Sequence, residues 1–390
     1  MPDNFTGQMG CRLFNQGAQT CRNQTREDSE LELNTQANQA VFWTAADLHA
    51  DQSWVYHLND QHREELVHAV RNAHVEGKDL LDYCARDFSI DATRKFLQAP
   101  LTQVQNGRGI ALVKGLPREG ITEKEFELIT WAVGLHCGTP RPQGKATQYI
   151  SAVRDAGMDY RTGTGRGYSS NADLDFHTDS SDVIFLTCYN KARSGGMSLI
   201  TSSMSAFREM LKRHPDQAKY LFEPIAFSRQ GEQAPGEGPF VLQPIFSECN
   251  GAWFGRWNWN RVRHGLQIDG APKLSEAHIN ALHLFDEIVR SKELAYNMWL
   301  EPGDMQILNS HVTLHSRTEF EDFEDPASKR LLFRLWIAPP SSQELPACWE
   351  DLYGSCKAGA VRGGIKGFEY GARQQHFDER QASDAGMTLA

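Results

Sequence analysis

The chain has 390 residues, enough at about 150 residues per domain for one large domain or two to three small ones. Apolar residues are 40% and charged residues 23%, an ordinary globular composition that excludes a disordered or collagen-like chain. Lys plus Arg is 40 and Asp plus Glu is 50, a net charge of −10 with no basic stripe, which argues against a dedicated nucleic-acid binder.

No run approaches the roughly 18 apolar residues of a membrane span. The N-terminus MPDNFTGQMGCRLFNQ lacks the basic-then-apolar pattern of a secretory signal. A cytoplasmic protein without membrane or nucleic-acid partners is expected. Eight scattered cysteines, with no CxxC pair, read as reduced thiols and exclude zinc-ribbon or thioredoxin-like chemistry.

In chain order, residues 1–40 are polar and poor in apolar side chains, which predicts a mobile tail. Residues 41–390 then read as one domain with a helical N-terminal part. Helical periodicity is expected over 54–72, 77–84 and 124–134. GRGIALVKGLP (107–117) reads as a short buried strand between glycines and a proline. Residues 140–176 read as loop, 182–189 as a buried strand, and SGGMSLITS as a turn and a second strand. Surface helices are expected near 203–221 and 275–296. PFVLQPIFS, GAWFGRWNWNRV, MWLEPGDMQILNS and KRLLFRLWIAP are strand-like. Strands outnumber helices after residue 180 and no βαβ alternation is present, which predicts a β-barrel or sandwich with helices laid on it.

The chemistry begins at His177-Thr178-Asp179. Side chains at i and i+2 of an extended segment point to one side, so an imidazole and a carboxylate can converge on a metal. An HxD pair alone is weak among 14 histidines. A second histidine follows a predicted strand and turn in LNSHVTLHSRTEF, where His315 and His311 both stand. Two His and one carboxylate on one face of a metal leave open positions, the pattern of non-haem Fe(II) oxygenases. Arg330 and Arg334 lie four apart on a predicted strand, so both guanidinium groups can face one cavity, and arginine is a natural bidentate partner for a carboxylate.

The segments FHTDSSDVIFLTCYNKARSGGMSLITSS, LEPGDMQILNSHVTLHSRTEFED and KRLLFRLWI resemble the taurine dioxygenase-like (TauD/TfdA) family of Fe(II)/2-oxoglutarate-dependent dioxygenases, which includes relatives of clavaminate synthase. YGSCKAGAVRGGI resembles the C-terminal end of many members. The resemblance implies a double-stranded β-helix, or jelly-roll, core within a mainly β fold with flanking helices. It places His177, Asp179 and His315 on the iron ligands, and Arg330 on the arginine that pairs with the distal carboxylate of 2-oxoglutarate. Ser198 falls on a position usually held by Thr that touches the same carboxylate. Arg334 falls where relatives contact either the cosubstrate or an anionic group of the substrate. The family pattern puts the ligand immediately before Ser316-Arg317, which favours His315 over His311.

Other candidates have plainer readings. His136 reads as a structural loop residue, and Trp253, Trp257 and Trp259 as core. His264 is a weaker candidate for substrate contact. The glycine-rich run 163–167 follows no strand and opens no helix, so it reads as a segment over the site mouth rather than a phosphate cradle. The implied reaction consumes O₂ and 2-oxoglutarate, releases succinate and CO₂, and oxidises a C–H bond by hydroxylation, desaturation or cyclisation. Because Asp179 is a carboxylate where family halogenases have a small residue, halogenation is not expected. Arg334, Arg256 and Arg263 suggest a small anionic substrate such as an acid, an amino acid or a secondary metabolite. The alternatives are the same chemistry on a protein side chain, or a non-catalytic ligand-binding relative.

Overall fold

The structure is a computed structural model describing residues 39–162, 165 and 167–389. The tail expected over 1–40 lies outside these residues except for its last two positions. Local capping signals set many element starts. Thr44 accepts from the Asp47 amide to open α1 (Ala45–Ala50). β1 (Val55–His57) precedes α2 (Asp60–Ala73), which begins at an Asn59–His62 capping box. The helix expected over 54–72 therefore starts later, because Trp54 is buried and the next three residues extend as a strand. The expected helix over 77–84 is only a 3-10 turn at Leu80–Asp82.

α3 (Asp91–Asn106) is a helix the sequence reading did not include. Its inner stripe of Leu97, Pro100 and Val104 has helical spacing, but a proline in mid-helix obscures it. β2 (Ile110–Lys114) and α4 (Glu123–Cys137) fall where expected. The stretch expected as loop carries two strands, β3 (Thr139–Arg141) and β4 (Ile150–Val153). β5 (Val183–Asn190), β6 (Ser194–Gly195) and β7 (Ser198–Ser202) follow. The single helix expected over 203–221 is divided into α5 (Ser203–Arg213) and α6 (Pro215–Ala218), because Pro215 has no N–H to continue the first helix.

Next come β8 (Ile225–Ser228), β9 (Phe240–Gln243), β10 (Phe246–Cys249) and β11 (Ala252–Gly255). The tryptophan-rich stretch after β11, expected as strand, instead turns into α7 (Trp259–Gly265), because Asn258 accepts from the Arg261 amide and caps a helix. α8 (Glu276–Val289) ends before Tyr296, which begins β12 (Tyr296–Met298). β13 (Met305–Asn309), β14 (Thr313–Arg317), β15 (Phe320–Glu321) and β16 (Leu331–Ala338) follow. The C-terminal part holds α9 (Glu350–Tyr353), β17 (Ala360–Val361), α10 (Ala372–Ala385) and β18 (Thr388–Leu389).

The largest sheet is seven-stranded, in the order β1-β2-β13-β5-β16-β3 with β4 also on β16. β1 and β2 run parallel and the other pairs antiparallel, so the sheet is mixed. A second, three-stranded sheet has the order β12-β7-β14. Alternation along β16 sorts its residues by face. Leu331, Phe333, Leu335 and Ile337 join a core made with α2, α3 and α4. Leu332 and Trp336 join Ile200, Tyr296 and Met298 of the second sheet in a core between the sheets. Arg334 has the same parity as Leu332 and Trp336, so it points inward between the sheets. A third core packs α5, α7 and α8 against the outer side of the second sheet, through Phe207, Val262, Phe285 and Leu314.

No helix among the described residues is long and apolar enough to cross a membrane. Among them no disulfide is formed, and Cys84, Cys137, Cys188, Cys249 and Cys356 are thiols, as expected.

Candidate active site

The backbone itself brings the two histidines together. The amide of His177 donates to the carbonyl of His315 and the amide of His315 donates to the carbonyl of His177, both at 3.0 Å. This reciprocal pair sets the side chains directly opposite each other across an antiparallel bridge, with ring centroids 4.2 Å apart. Asp179, two residues along, faces the same way. Its Oδ1 lies 4.0 Å from His177 Nε2 and its Oδ2 lies 3.9 Å from His315 Nε2. These gaps are too long for hydrogen bonds. They lie within the about 4 Å that can separate two ligands each about 2 Å from a shared ion. His177, Asp179 and His315 are the only group of this kind among the described residues.

The protonation states suit a cation. Burial holds the His177 imidazole below its ordinary 6.5, despite the pull of Asp179 and the Asp175 carbonyl. Burial, with His177 alongside, lowers His315 to about 3. Both rings are therefore neutral, with lone pairs available, at neutral pH. The Asp175 carbonyl lies 2.8 Å from His177 Nδ1, which turns Nε2 toward the cluster. Burial would raise Asp179, but the positive charge of Arg334 and the Trp336 N–H outweigh it and hold the carboxyl below its ordinary 3.8. Trp336 Nε1 donates to Asp179 Oδ2 at 2.9 Å, and Arg334 Nη1 donates to both carboxylate oxygens.

A cavity of about 120 Å³ contains the three donors together with Ser198, Arg330 and Arg334. Arg330 is 5% exposed, stands over the Phe320 ring at 4.9 Å, and has a buried Nη1 without a partner among the described residues. Burial lowers its pKa to about 10, still charged at neutral pH. An unpaired buried guanidinium is costly, so Arg330 has the chemistry of a receptor for a ligand carboxylate. A Cβ at Gly196, whose φ is +77°, would sit 3.2 Å from Arg330 Nε, so glycine leaves that side chain room. Ser198 Oγ accepts from Gln306 Nε2 at 3.1 Å. The donor set and the unsatisfied Arg330 fit Fe(II) and a dicarboxylate.

Several candidates go elsewhere. His311 donates to Asp182 Oδ1 at 2.8 Å, beside Arg362, and is a buried structural group. His136 contacts the Phe88 carbonyl, and Trp257 and Trp259 stack on each other without lining the cavity. His264 and Arg263 do not line the cavity, and Arg256 lines a neighbouring one. The three arginines that suggested an anionic substrate do not share one cavity: Arg263 donates to the Arg161 carbonyl and to Asn260 Oδ1, Arg334 is engaged by Asp179 and Gln143, and Arg256 lines the neighbouring cavity. Of the glycine-rich run, Gly165 and Gly167 line the cavity, while residues 163, 164 and 166 lie outside the described residues.

The sequence reading missed Trp336, Gln143 and Arg317. Trp336 was within reach, since it lies two residues beyond Arg334 on one strand face. Gln143 had no sequence signal, because it belongs to a distant loop. Arg317 is 5% exposed and lines the cavity beside Ser316.

Residues 76–336 match the family model "Taurine catabolism dioxygenase TauD, TfdA family". The chain belongs to the TauD/TfdA family and is an oxidoreductase, an Fe(II)/2-oxoglutarate-dependent dioxygenase. Over 311 residues it is 30% identical to the FR-33289 synthase of Streptomyces rubellomurinus, spanning 78% of this chain and 91% of that protein. It is 29% identical over 192 residues to the taurine hydroxylase-like protein SAT17 of Stachybotrys chartarum, covering 45% of this chain and 48% of that one. A structure of asparagine oxygenase shares its fold with a TM-score of 0.57 at 16% identity, over 73% of this chain and 93% of that one. The non-haem iron oxygenase OrfP, in complex with Fe and alpha-ketoglutaric acid, superposes with a TM-score of 0.54 at 16% identity, over 73% and 94%.

Proposed function

We propose that this dioxygenase oxidises a C–H bond of a small molecule, an acid, amino acid or secondary metabolite, at a site built by His177, Asp179 and His315. The observation that carries this reading is the convergence of these three buried donors, within 4.8 Å of one another, beside an unsatisfied Arg330 in one cavity. Bound Fe(II) and 2-oxoglutarate supply the O₂-activating chemistry, with succinate and CO₂ as coproducts. The chain's own residues do the positioning. His177, Asp179 and His315 would hold the metal, and three protein ligands would leave coordination positions for the cosubstrate and O₂. Arg330, with Ser198 nearby, receives the distal carboxylate of 2-oxoglutarate. Arg334 orients Asp179 rather than acting as a free anion receptor. The carboxylate at Asp179 favours hydroxylation, desaturation or cyclisation over halogenation.

The two sheets enclosing the site support a double-stranded β-helix core, with 41–390 acting as one catalytic domain. Reduced thiols favour the cytoplasm as its compartment. Small-molecule action is supported by the cavity at the donors and by the similarity to the asparagine oxygenase and FR-33289 synthase.

The test is anaerobic addition of Fe(II) and 2-oxoglutarate to the apo-protein with a visible spectrum. A weak charge-transfer band is expected, absent in His177→Ala and at least tenfold harder to saturate with 2-oxoglutarate in Arg330→Ala. No band in the wild type, with iron unbound, would remove the enzymatic reading of this site.

A further inference from the structure

A second cavity, of about 80 Å³, adjoins the first and shares Ser180, Glu232, Arg261 and Ile365 with it. Most of its charged groups have opposite charges at hand. Arg261 lies 3.2 Å from Glu232, and Arg229 lies 3.4 Å from Glu237. Arg256 differs. It is 3% exposed, has no ion-pair partner among the described residues, and its Nε has no hydrogen-bond partner there. Its Nη1 reaches Ser180 Oγ only at 3.5 Å, and its guanidinium stands 4.9 Å over the Phe227 ring. A buried guanidinium left in this state has its strongest interactions unmade, and its planar fork matches two oxygens of one anion.

The position is also suitable. Ser180 follows Asp179 directly, and Asn258, two residues after Arg256, bridges to His177 through the backbone and lines the first cavity. A short molecule held at Arg256 can thus reach toward the metal donors past Ser180 and Asn258. Arg334 is less available, since Nη1 and Nε already serve Asp179 and Gln143.

We propose that Arg256 is the receptor for an oxyanion group of the substrate, a carboxylate, sulfonate or phosphate, seated in the cavity behind Ser180 with the oxidisable carbon extending toward His177, Asp179 and His315. This rests on the oxygenase reading above and names its substrate class. Charge in a water-poor pocket is felt strongly, so one well-placed arginine can select for an anion.

The full chain, loaded anaerobically with Fe(II) and 2-oxoglutarate, is titrated with inorganic phosphate and separately with propane-1-sulfonate. Thermal unfolding and the charge-transfer band are recorded together. Both anions should raise the wild-type Tm, as ligands that bind only the folded state do. The half-saturating concentration should rise at least tenfold in Arg256→Gln and stay at the wild-type value in Arg263→Gln, which alters an arginine outside both cavities. The tailed sulfonate should also shift the band. No response in the wild type, or an equal response in Arg256→Gln, overturns the proposal. Binding through Arg256 of phosphate alone, with no shift of the band by the sulfonate, overturns the substrate assignment in favour of a free-anion site. If Arg256→Gln does not fold, Arg256→Lys decides, because it keeps the charge and loses the fork. A threefold or greater rise supports the proposal, and an unchanged value sinks it. A charge-transfer band that persists in Arg256→Gln separates failure here from failure of the oxygenase reading, which absence of the band in the wild type would signal.

Discussion

Arg334 donates from Nη1 to both oxygens of the Asp179 carboxylate, at 3.3 and 3.1 Å. A carboxylate that faces two neutral imidazoles is thus held in place from behind by a guanidinium and, through Trp336, by an indole N–H at 2.9 Å. Partners of this kind keep a ligand aimed when the metal is absent and tune its donor strength when it is present.

Trp336→Phe keeps the ring and removes that one donor. Fe(II) affinity is expected to fall about 10- to 100-fold, in line with losses seen for outer partners of metal ligands. Anaerobic Fe(II) titration by calorimetry measures it, and an unchanged affinity would show that Asp179 is held well enough by Arg334 alone.

Asp182 ties the C-terminal part to the sheet. It accepts from Arg362 Nη2 and from His311 Nε2, each at 2.8 Å, and all three groups are buried. Asp182→Asn leaves an uncompensated Arg362, and a loss of about 3–5 kcal/mol is expected. His311→Gln should cost stability while leaving the iron-dependent band in place. Chemical denaturation and the anaerobic spectrum check the two halves, and loss of iron binding in His311→Gln would reopen the choice of ligand.

Gly265 closes α7 against β8. A Cβ built there would lie 2.1 Å from the Ala226 carbonyl oxygen, which belongs to backbone and has no rotamer to yield. Gly265→Ala should therefore destabilise by about 1–3 kcal/mol, against the usual helical preference for alanine. Since α7 carries Arg261 on the cavity wall, the same change should weaken substrate binding. Equal stability in urea would mean that α7 shifts freely.

Glu125 supplies a pH test at the start of α4. The Arg71 guanidinium and the Thr122 amide and hydroxyl bind its carboxylate and lower its pKa to about 2. A depressed carboxyl contributes stability above its ordinary 4.5 that fades as pH falls toward about 2. At neutral pH Glu125→Gln should cost about 1 kcal/mol, a typical value for a lost helix cap, with little added by so exposed an ion pair. The gap between the proteins should narrow as pH drops through that window in urea melts. A gap constant with pH would assign the loss to the amide's geometry instead.

The strands that form the site were legible because they are short runs of β-branched, aromatic and aliphatic residues, as in 183–190 and 331–338, the second ending at Pro339. The helices were less so. Trp54 and the tryptophans after β11 show why: an aromatic run fits strand or helix, and the cap at Asn258 decided the second case. α3 and α10 hide their inner stripes among polar residues, because only packing against the large sheet makes those few apolar positions count.

The sequence by itself determined the donor types, the HxD spacing and the arginines near β16, since side-chain chemistry and strand parity are local properties. The family pattern around Ser316-Arg317 already favoured His315, but only the tertiary structure brings it to Asp179, because His177 and His315 meet through a backbone pair between segments far apart in the chain. It also decided the duties of the arginines. Arg330, Arg334 and Arg256 are the same residue type, yet one is left unsatisfied in the donor cavity, one is committed to Asp179, and one is buried behind Ser180. A guanidinium's role follows from which carboxylates and how much water surround it, and those are set by packing rather than by position in the chain.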